Sequence, residues 1–285
     1  MKEAINKGVL VPFHYYGIYD EIDYSKLHIV KGRYDGNELT QIYKNNAKRY
    51  NLIYKYYLKY HSRQALGFCC SREHAEQMAA EFCKRSIPSV AVYSDAHGEF
   101  SEDRNRAIEL LINNKIRVIF SVDMFNEGLD IASLDMVMFL RPTESPVVFL
   151  QQLGRGLRTC RGKQYLNVLD FIGNYEKAGR VSLLLSGKNQ NGNKKAYDYT
   201  EIEYPDDCIV DFDMRLVDLF REMDKKSMPM KSRISNEFYR VKELLNNKVP
   251  SRIELFTYMD NEVFEYCIRL AYGNPFRWFL EFLND

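Results

Sequence analysis

The chain has 285 residues, room for one large domain or one ordinary domain with an appendage, and its 46% hydrophobic residues can build a core. Forty Lys and Arg against 39 Asp and Glu leave a formal charge of +1, which excludes a bulk electrostatic case for nucleic acid and makes any basic function local. The six cysteines form no C-x-x-C pair and no metal-ligand spacing, no run of about 18 apolar residues appears, and MKEAINKGVLVPF lacks the segments of a signal peptide. The expectation is a cytoplasmic protein with reduced, structural thiols, no metal site of its own and no membrane partner.

In chain order, residues 1 to 35 hold the apolar and aromatic run VLVPFHYYGIY, an edge or extra strand in which Pro12 argues against a central position. Residues 38 to 60 read as a helix rich in tyrosine and lysine, its lysines snorkelling from an amphipathic surface or, alternatively, clamping a nucleic-acid strand with the tyrosines. From 65 to 172 the pattern alternates. ALGFCC (65 to 70), SVAVYS (89 to 94), IRVIFS (116 to 121), LDMVMFL (134 to 140) and YLNVLDFI (165 to 172) are apolar runs of strand length. Their lack of strict alternation suits strands covered on both faces. Segments 72–85, 101–114 and 144–158 between them have helical spacing, with Ser71 and Ser101 as candidate N-caps. Repeated strand and helix predict an α/β fold, a parallel sheet with helices on both faces and its sites at the carboxyl ends of the strands. Beyond Ile172, SGKNQNGNKKAYD reads as a linker, and DFDMRLVDLFREMDKK, SNEFYRVKELLNN and NEVFEYCIRL as helices.

Two stretches carry chemistry. FSVDMFNEGLDIASLDMV leaves a strand, turns at Asn126 to Gly128 and enters the next strand. In FLQQLGRGLRTCRGK, Arg155 and Arg158 are three residues apart, so on a helix or its last turn they converge on one anion. Their guanidinium forks suit phosphate oxygens. The alternative is a solvated or salt-bridged helix end; Asp130 has an alternative as a turn residue satisfying local backbone N–H groups, and Glu127 as a surface turn carboxylate. Arg161 and Lys163 default to solvated charge, and His74 and His97 read as exposed polar residues.

GFCCSREHAEQMA, SVDMFNEGLDIASLD and QQLGRGLR, in this order and spacing, resemble motifs IV, V and VI of the second RecA-like domain of superfamily 2 DEAD/DEAH-type helicases, in particular those related to restriction-enzyme motor subunits. The resemblance covers about residues 8 to 175. It implies a RecA-like helicase C-terminal domain over 63–185, preceded by an N-terminal strand and helix (1–62) and followed by a linker (186–205) and a helical appendage that begins a further domain (206–285). In such motors ATP and Mg²⁺ are bound mainly by the first motor domain, and the second reaches across. Arg158, with Arg155 close behind, matches the arginine finger. Gln151 matches a residue linking the nucleotide site to nucleic acid, and Glu127, Gly128 and Asp130 match motif V beside the nucleotide. Ser71, Ser94 and Ser121, at strand ends, are the expected backbone-phosphate contacts.

The chain also departs from a complete motor. No G-x-x-x-x-G-K-[ST] occurs, and Asp20-Glu21-Ile22-Asp23, which spells a helicase D-E-x-D, has no phosphate loop before it and reads as coincidence. The expectation is therefore the C-terminal lobe of an ATP-dependent helicase or translocase acting on DNA in preference to RNA, inactive without the missing N-terminal RecA-like domain of the same polypeptide. The alternative is a non-catalytic nucleic-acid-binding or scaffolding module that kept the fold. A nucleotide-sugar transferase half is weaker, having no acceptor chemistry here.

Overall fold

A computed structural model describes residues 1–30, 33–95, 97–122, 131–142, 146–175, 178, 181–186, 203–227 and 229–270. In chain order the elements are α1 (Lys2–Asn6), β1 (Phe13–Tyr19), β2 (Ile29–Val30), β3 (Arg33–Tyr34), α2 (Gly36–Tyr43), α3 (Ala47–Tyr60), β4 (Ala65–Phe68), α4 (Arg72–Lys84), β5 (Ser89–Val92), α5 (Arg104–Ile112), β6 (Val118–Ser121), β7 (Met136–Phe139), α6 (Pro146–Gly156), β8 (Leu166–Ile172), α7 (Val181–Ser186), β9 (Ile209–Phe212), α8 (Met214–Ser227), α9 (Met230–Leu244), α10 (Arg252–Tyr258) and α11 (Asn261–Leu270). The chain divides into two compact units, the first ending at Phe220 and the second containing the helices beyond it.

In the first unit seven strands form one sheet in the order β5-β6-β4-β7-β8-β1-β9, and every neighbouring pair is parallel. The expected α/β sheet is present because its central strands are mainly apolar, with Ser121, Asn167 and Asp170 as buried exceptions. All residues of β4, β6, β7 and β8 are buried, as strands sandwiched between helices require. On one face Ile53 and Tyr57 of α3 and Met78, Ala79 and Phe82 of α4 pack in one core with Phe120, Met136, Met138, Leu169 and Phe171. Burying a side chain such as Phe82 contributes about 1.5–3 kcal/mol.

The structure revises four local expectations. The segment 38–60 is two helices, because the chain turns at Lys44–Asn46 with Asn45 at φ 55° and Asn46 caps α3 by accepting from the Arg49 N–H. The N-cap of α5 is Asp103, whose carboxylate accepts from Asn105 and Arg106, whereas Ser101 forms an isolated bridge to Ala91. Strand β1 is not an edge: it lies between β8 and β9, and Pro12 is tolerated because it precedes the strand. Residues 209–212 are a strand that extends this sheet, and Gly17 makes room for it. A Cβ on Gly17 would sit 2.4 Å from the Phe212 ring.

The second unit has its own small core. Ile234, Phe238 and Val241 of α9 meet Leu255, Met259, Val263 and Cys267 from α10 and α11. Ser251 and Glu254 form a capping box that starts α10.

Candidate functional site

The expected site residues separate between the two edges of the sheet. At the carboxyl edge, Ser71 follows β4 and caps α4, its hydroxyl accepting from the His74 N–H at 3.2 Å. Ser94 follows β5, is exposed, and accepts from the Arg72 guanidinium at 2.8 Å. Arg72 also lies 3.9 Å from Asp95 and over the Tyr93 ring at 5.6 Å. Motif reading passed over Arg72, though a cation in the first turn of a helix after a strand end was a visible signal. Ser121 ends β6 but is 0% exposed, because the parallel neighbours β4 and β5 and the covering helices enclose it. It corrects the expectation of a phosphate contact there. Glu127, Gly128 and Asp130 lie outside the described residues.

Helix α6 begins past Pro142, beside the carboxyl end of β7, and runs back against the strands. Gln151 is exposed on its middle and Gln152 is buried. Arg155 is half-buried in the last turn. The helix stops at Gly156, and Arg158 stands two residues beyond it, exposed, in an isolated antiparallel bridge with Leu10. The Val11 N–H donates to the Leu157 carbonyl at 2.8 Å, which ties this bend to the residues that enter β1. Arg158 is thus placed by a strand-like pairing and not by helical spacing, which corrects the geometric basis for its pairing with Arg155. Gly156 is required by packing: a Cβ there would come within 2.6 Å of Leu166, the first residue of β8, and 3.2 Å of Val137. Both arginines therefore lie near the amino edge, opposite Ser71 and Ser94.

Lys163 belongs to this amino-edge group, contrary to its reading as solvated charge. Its ammonium donates to the carbonyls of Gly156 (2.6 Å), Ala132 (3.0 Å) and Arg158 (3.1 Å). Burial lowers its pKa to about 8.

A buried polar cluster crosses the carboxyl edge. Arg49 of α3, 2% exposed, donates to Asp20 Oδ2 at 2.7 Å and to the Leu140 carbonyl at 2.9 Å, and its guanidinium lies 3.9 Å over the Tyr43 ring. His74, 1% exposed, faces it at 3.3 Å through Nε2 and faces Cys70 Sγ at 3.4 Å through Nδ1. Arginine has only donors, so Nε2 accepts from it, and the Cys70 backbone N–H is directed at Nδ1 at 3.4 Å. Burial first and the Arg49 charge second hold the imidazole pKa well below its usual value, so the ring is neutral. Burial opposes the Arg49 charge, but Asp20 together with Tyr43 and Tyr24 more than offsets it, and the guanidinium pKa lies above its ordinary value. Asp20, dismissed with its neighbours as a chance D-E-x-D, is the counter-ion of this cluster. His74 is thus buried and not an exposed polar residue, and Arg49, inside the segment read as an amphipathic helix or a strand clamp, is buried and unavailable to clamp a strand.

On the other face of the sheet, the Tyr15 hydroxyl donates to Asp170 Oδ2 at 2.7 Å, and Asp170 Oδ1 has no hydrogen-bond partner. Burial raises this carboxyl to about 7, the tyrosine bond working in the opposite direction.

Among the described residues no group of three or more His, Cys, Asp or Glu is arranged to hold a metal ion, and no described helix is long and apolar enough to cross a membrane. Arg155 and Arg158 at the amino edge are cations of the kind that suits phosphate oxygens, and Asp135 beside them is held by Ser62, Arg63 and Gln64. Among the described residues this edge offers no ligand set for Mg²⁺.

Comparison with known proteins bears on this arrangement. Residues 48–160 match the helicase conserved C-terminal domain family. The chain is 28% identical over 179 residues to a 51.5 kDa protein of a Lactococcus phage, covering 61% of this chain and 37% of that protein. It is 30% identical over 135 residues to IRC3 of Saccharomyces cerevisiae, designated an ATP-dependent helicase, covering 45% of this chain and 19% of that one. The chain thus spans well under half the length of these relatives. Among solved structures, a fragment assigned as the HsdR subunit of a type I restriction enzyme from Vibrio vulnificus superposes with a TM-score of 0.50 at 19% identity, over 74% of this chain and 38% of the other. The fold is RecA-like.

Proposed function

We propose, from the premise that residues 48–160 are a helicase conserved C-terminal domain, that this chain is the second motor lobe of an ATP-dependent helicase or translocase. A first RecA-like domain of the same polypeptide supplies the phosphate loop, the Mg²⁺ ligands and most of the ATP site. The expected strand is DNA, in line with the type I restriction enzyme among its structural neighbours. Cytoplasmic location is part of this reading; the motor lobe takes in β1 and β9 as well as residues 63–185, and the helices beyond Phe220 begin a further domain.

One observation carries it. Arg155 and Arg158 sit near the amino edge, away from the carboxyl-edge crevice where a parallel α/β sheet binds its own ligand. Cations at that place serve a phosphate presented by another body. ATP supplies the transferring phosphoryl group. In this reading Arg158, exposed on its bridge, donates to the oxygens on which charge develops, and Arg155 supports it from the last helical turn. A positioned guanidinium of this kind accelerates phosphoryl transfer by roughly 10³ to 10⁵. Gln151, Glu127, Gly128 and Asp130 are assigned to the coupling between nucleotide and strand. Ser71 and Ser94, at the opposite edge, are assigned to the nucleic-acid track.

The chain joined to its first motor domain should hydrolyse ATP in a nucleic-acid-stimulated reaction, and the chain alone should not. Arg158→Ala should lower kcat by about 10³ or more with circular dichroism unchanged, and Arg155→Ala should also lower it. Ordinary turnover in both variants would leave a non-catalytic binding or scaffolding module as the reading.

A further inference from the structure

We infer that Lys163 is a positioning residue that fastens the end of α6 and Arg158 to the turn at Ala132 that leads into β7; this rests on the motor-lobe reading above. Helix α6 ends at Gly156, and the last carbonyls of a helix lack intrahelical donors and carry partial negative charge. An ammonium has three N–H donors. Here all three are placed: one on the Gly156 carbonyl, one on the Arg158 carbonyl, and one on Ala132, two residues beyond Asp130.

Local structure explains how the lysine reaches them. After Arg158 the chain makes a tight turn with Gly162 at φ 81°, closed by the Lys163 N–H donating to the Cys160 carbonyl at 3.1 Å. The turn brings Lys163 back beneath the helix end before β8 begins. Gly156, pressed onto Leu166 and Val137, fixes the height of that end above the sheet. The bridge to Leu10 fixes Arg158 from the other side. Without the ammonium, the carbonyls of Gly156 and Ala132, part-buried, and of Arg158, exposed, lose this donor. The helix end and the turn at Ala132 then lose their common fastening, although the sheet beneath them is untouched.

The role predicts an effect on transition-state complementarity and little on ground-state binding, since a misplacement of about 1 Å can cost on the order of 10²-fold in rate. The test uses the chain joined to its first motor domain, with ADP and ADP–aluminium fluoride, a mimic of the transferring phosphoryl group, as probes. Lys163→Met should weaken binding of the mimic and lower kcat by at least about tenfold. Affinity for ADP and KM for ATP should stay within about twofold. Lys163→Arg, which restores a cationic multiple donor, should recover most of the loss. In the chain alone, amide exchange of residues 131–134 and 154–158 should accelerate in Lys163→Met while exchange in β4 and β7 stays at the wild-type level. Should the methionine variant not fold, Lys163→Gln, with a shorter two-donor amide, should show a smaller loss of the same kind. Wild-type affinity for the mimic in a folded Met or Gln variant overturns the role. So does a loss of equal size for ADP and its mimic. If Arg158→Ala also binds the mimic like wild type, the motor-lobe reading itself has failed, and the exchange data then report the fastening alone.

Discussion

The Arg49 guanidinium and the Asp20 carboxylate form an ion pair at 2.7 Å with side chains 1% and 3% exposed, joining the start of α3 to the end of β1. The same guanidinium reaches Leu140, where β7 gives way to the loop before α6. Removing one partner strands a buried charge. Arg49→Met or Asp20→Leu should each destabilise the first unit by about 3–5 kcal/mol, whereas the double variant, with no orphaned charge, should recover much of that loss. Urea denaturation of the four proteins, analysed as a double-mutant cycle, measures the coupling. Additive losses would show that the pair does not act as a unit.

Asp170 gives a pH signature. Its folded-state pKa is raised from 3.8 to about 7 by burial. Between those values the folded carboxyl keeps a proton that the unfolded one has lost. Stability from this group is therefore greatest below about pH 4, declines as the pH rises through 7, and is flat above. Asp170→Asn should be more stable than wild type by about 1–3 kcal/mol at pH 8 and nearly equal to it at pH 4. Denaturation midpoints of the two proteins at pH 4, 6 and 8 test this; a constant difference across the series contradicts it.

Gly156 sets how closely the end of α6 approaches the sheet. Gly156→Ala should cost about 1–3 kcal/mol by overpacking against Leu166 and Val137, despite the better helix propensity of alanine. In a Leu166→Val background, where the clashing δ-carbons are absent, the same substitution should cost less. Thermal melts of the single and double variants decide it, and an equal cost in both backgrounds excludes the clash.

Arg72, which holds Ser94 at the carboxyl edge, is an exposed cation in direct contact with the assigned nucleic-acid track. Arg72→Ala in the joined two-lobe protein should weaken DNA binding and reduce the slope of log K against log salt by about 0.7–0.9, the value for one phosphate contact. Lys26→Ala, on an exposed lysine that pairs with Asp23, serves as the comparison and should leave the slope unchanged. Titrations at several salt concentrations read the difference.

Much of the fold was legible because local pattern and burial coincide in a parallel sheet. The apolar runs around Leu66, Phe120 and Val137, and the mostly apolar one around Val168, suited covered strands, and Ser71 followed by Arg72 and Glu73 spelled a helix start. The pairing of Gln151, Arg155 and Arg158 with a helicase-like motif was likewise readable from order and spacing alone. None of that indicated which edge of the sheet each residue would occupy. The edge depends on where α6 ends, and Gly156 against Leu166 decides it through a contact the hydrophobic period does not encode.

The remaining assignments were made by partners distant in sequence. Arg49 and His74 look like surface residues when only their own helices are considered, yet Asp20, Tyr43 and Leu140 converge on them and make burial affordable by satisfying charge and donors. The Lys163 ammonium meets the Arg158 carbonyl just ahead of its own turn, and tertiary packing brings it the carbonyls of Ala132 and Gly156 as well. Residues 209–212 become a strand because β1 offers an open parallel edge and Gly17 leaves room for Phe212. By itself the sequence determined the sheet, its main helices and the chemical kind of the motif residues, since these follow from short-range periodicity and side-chain chemistry. Only the tertiary structure decided which charges are buried, which cap backbone and which remain at an open edge, because desolvation and hydrogen-bond satisfaction depend on neighbours that the chain brings together from far apart.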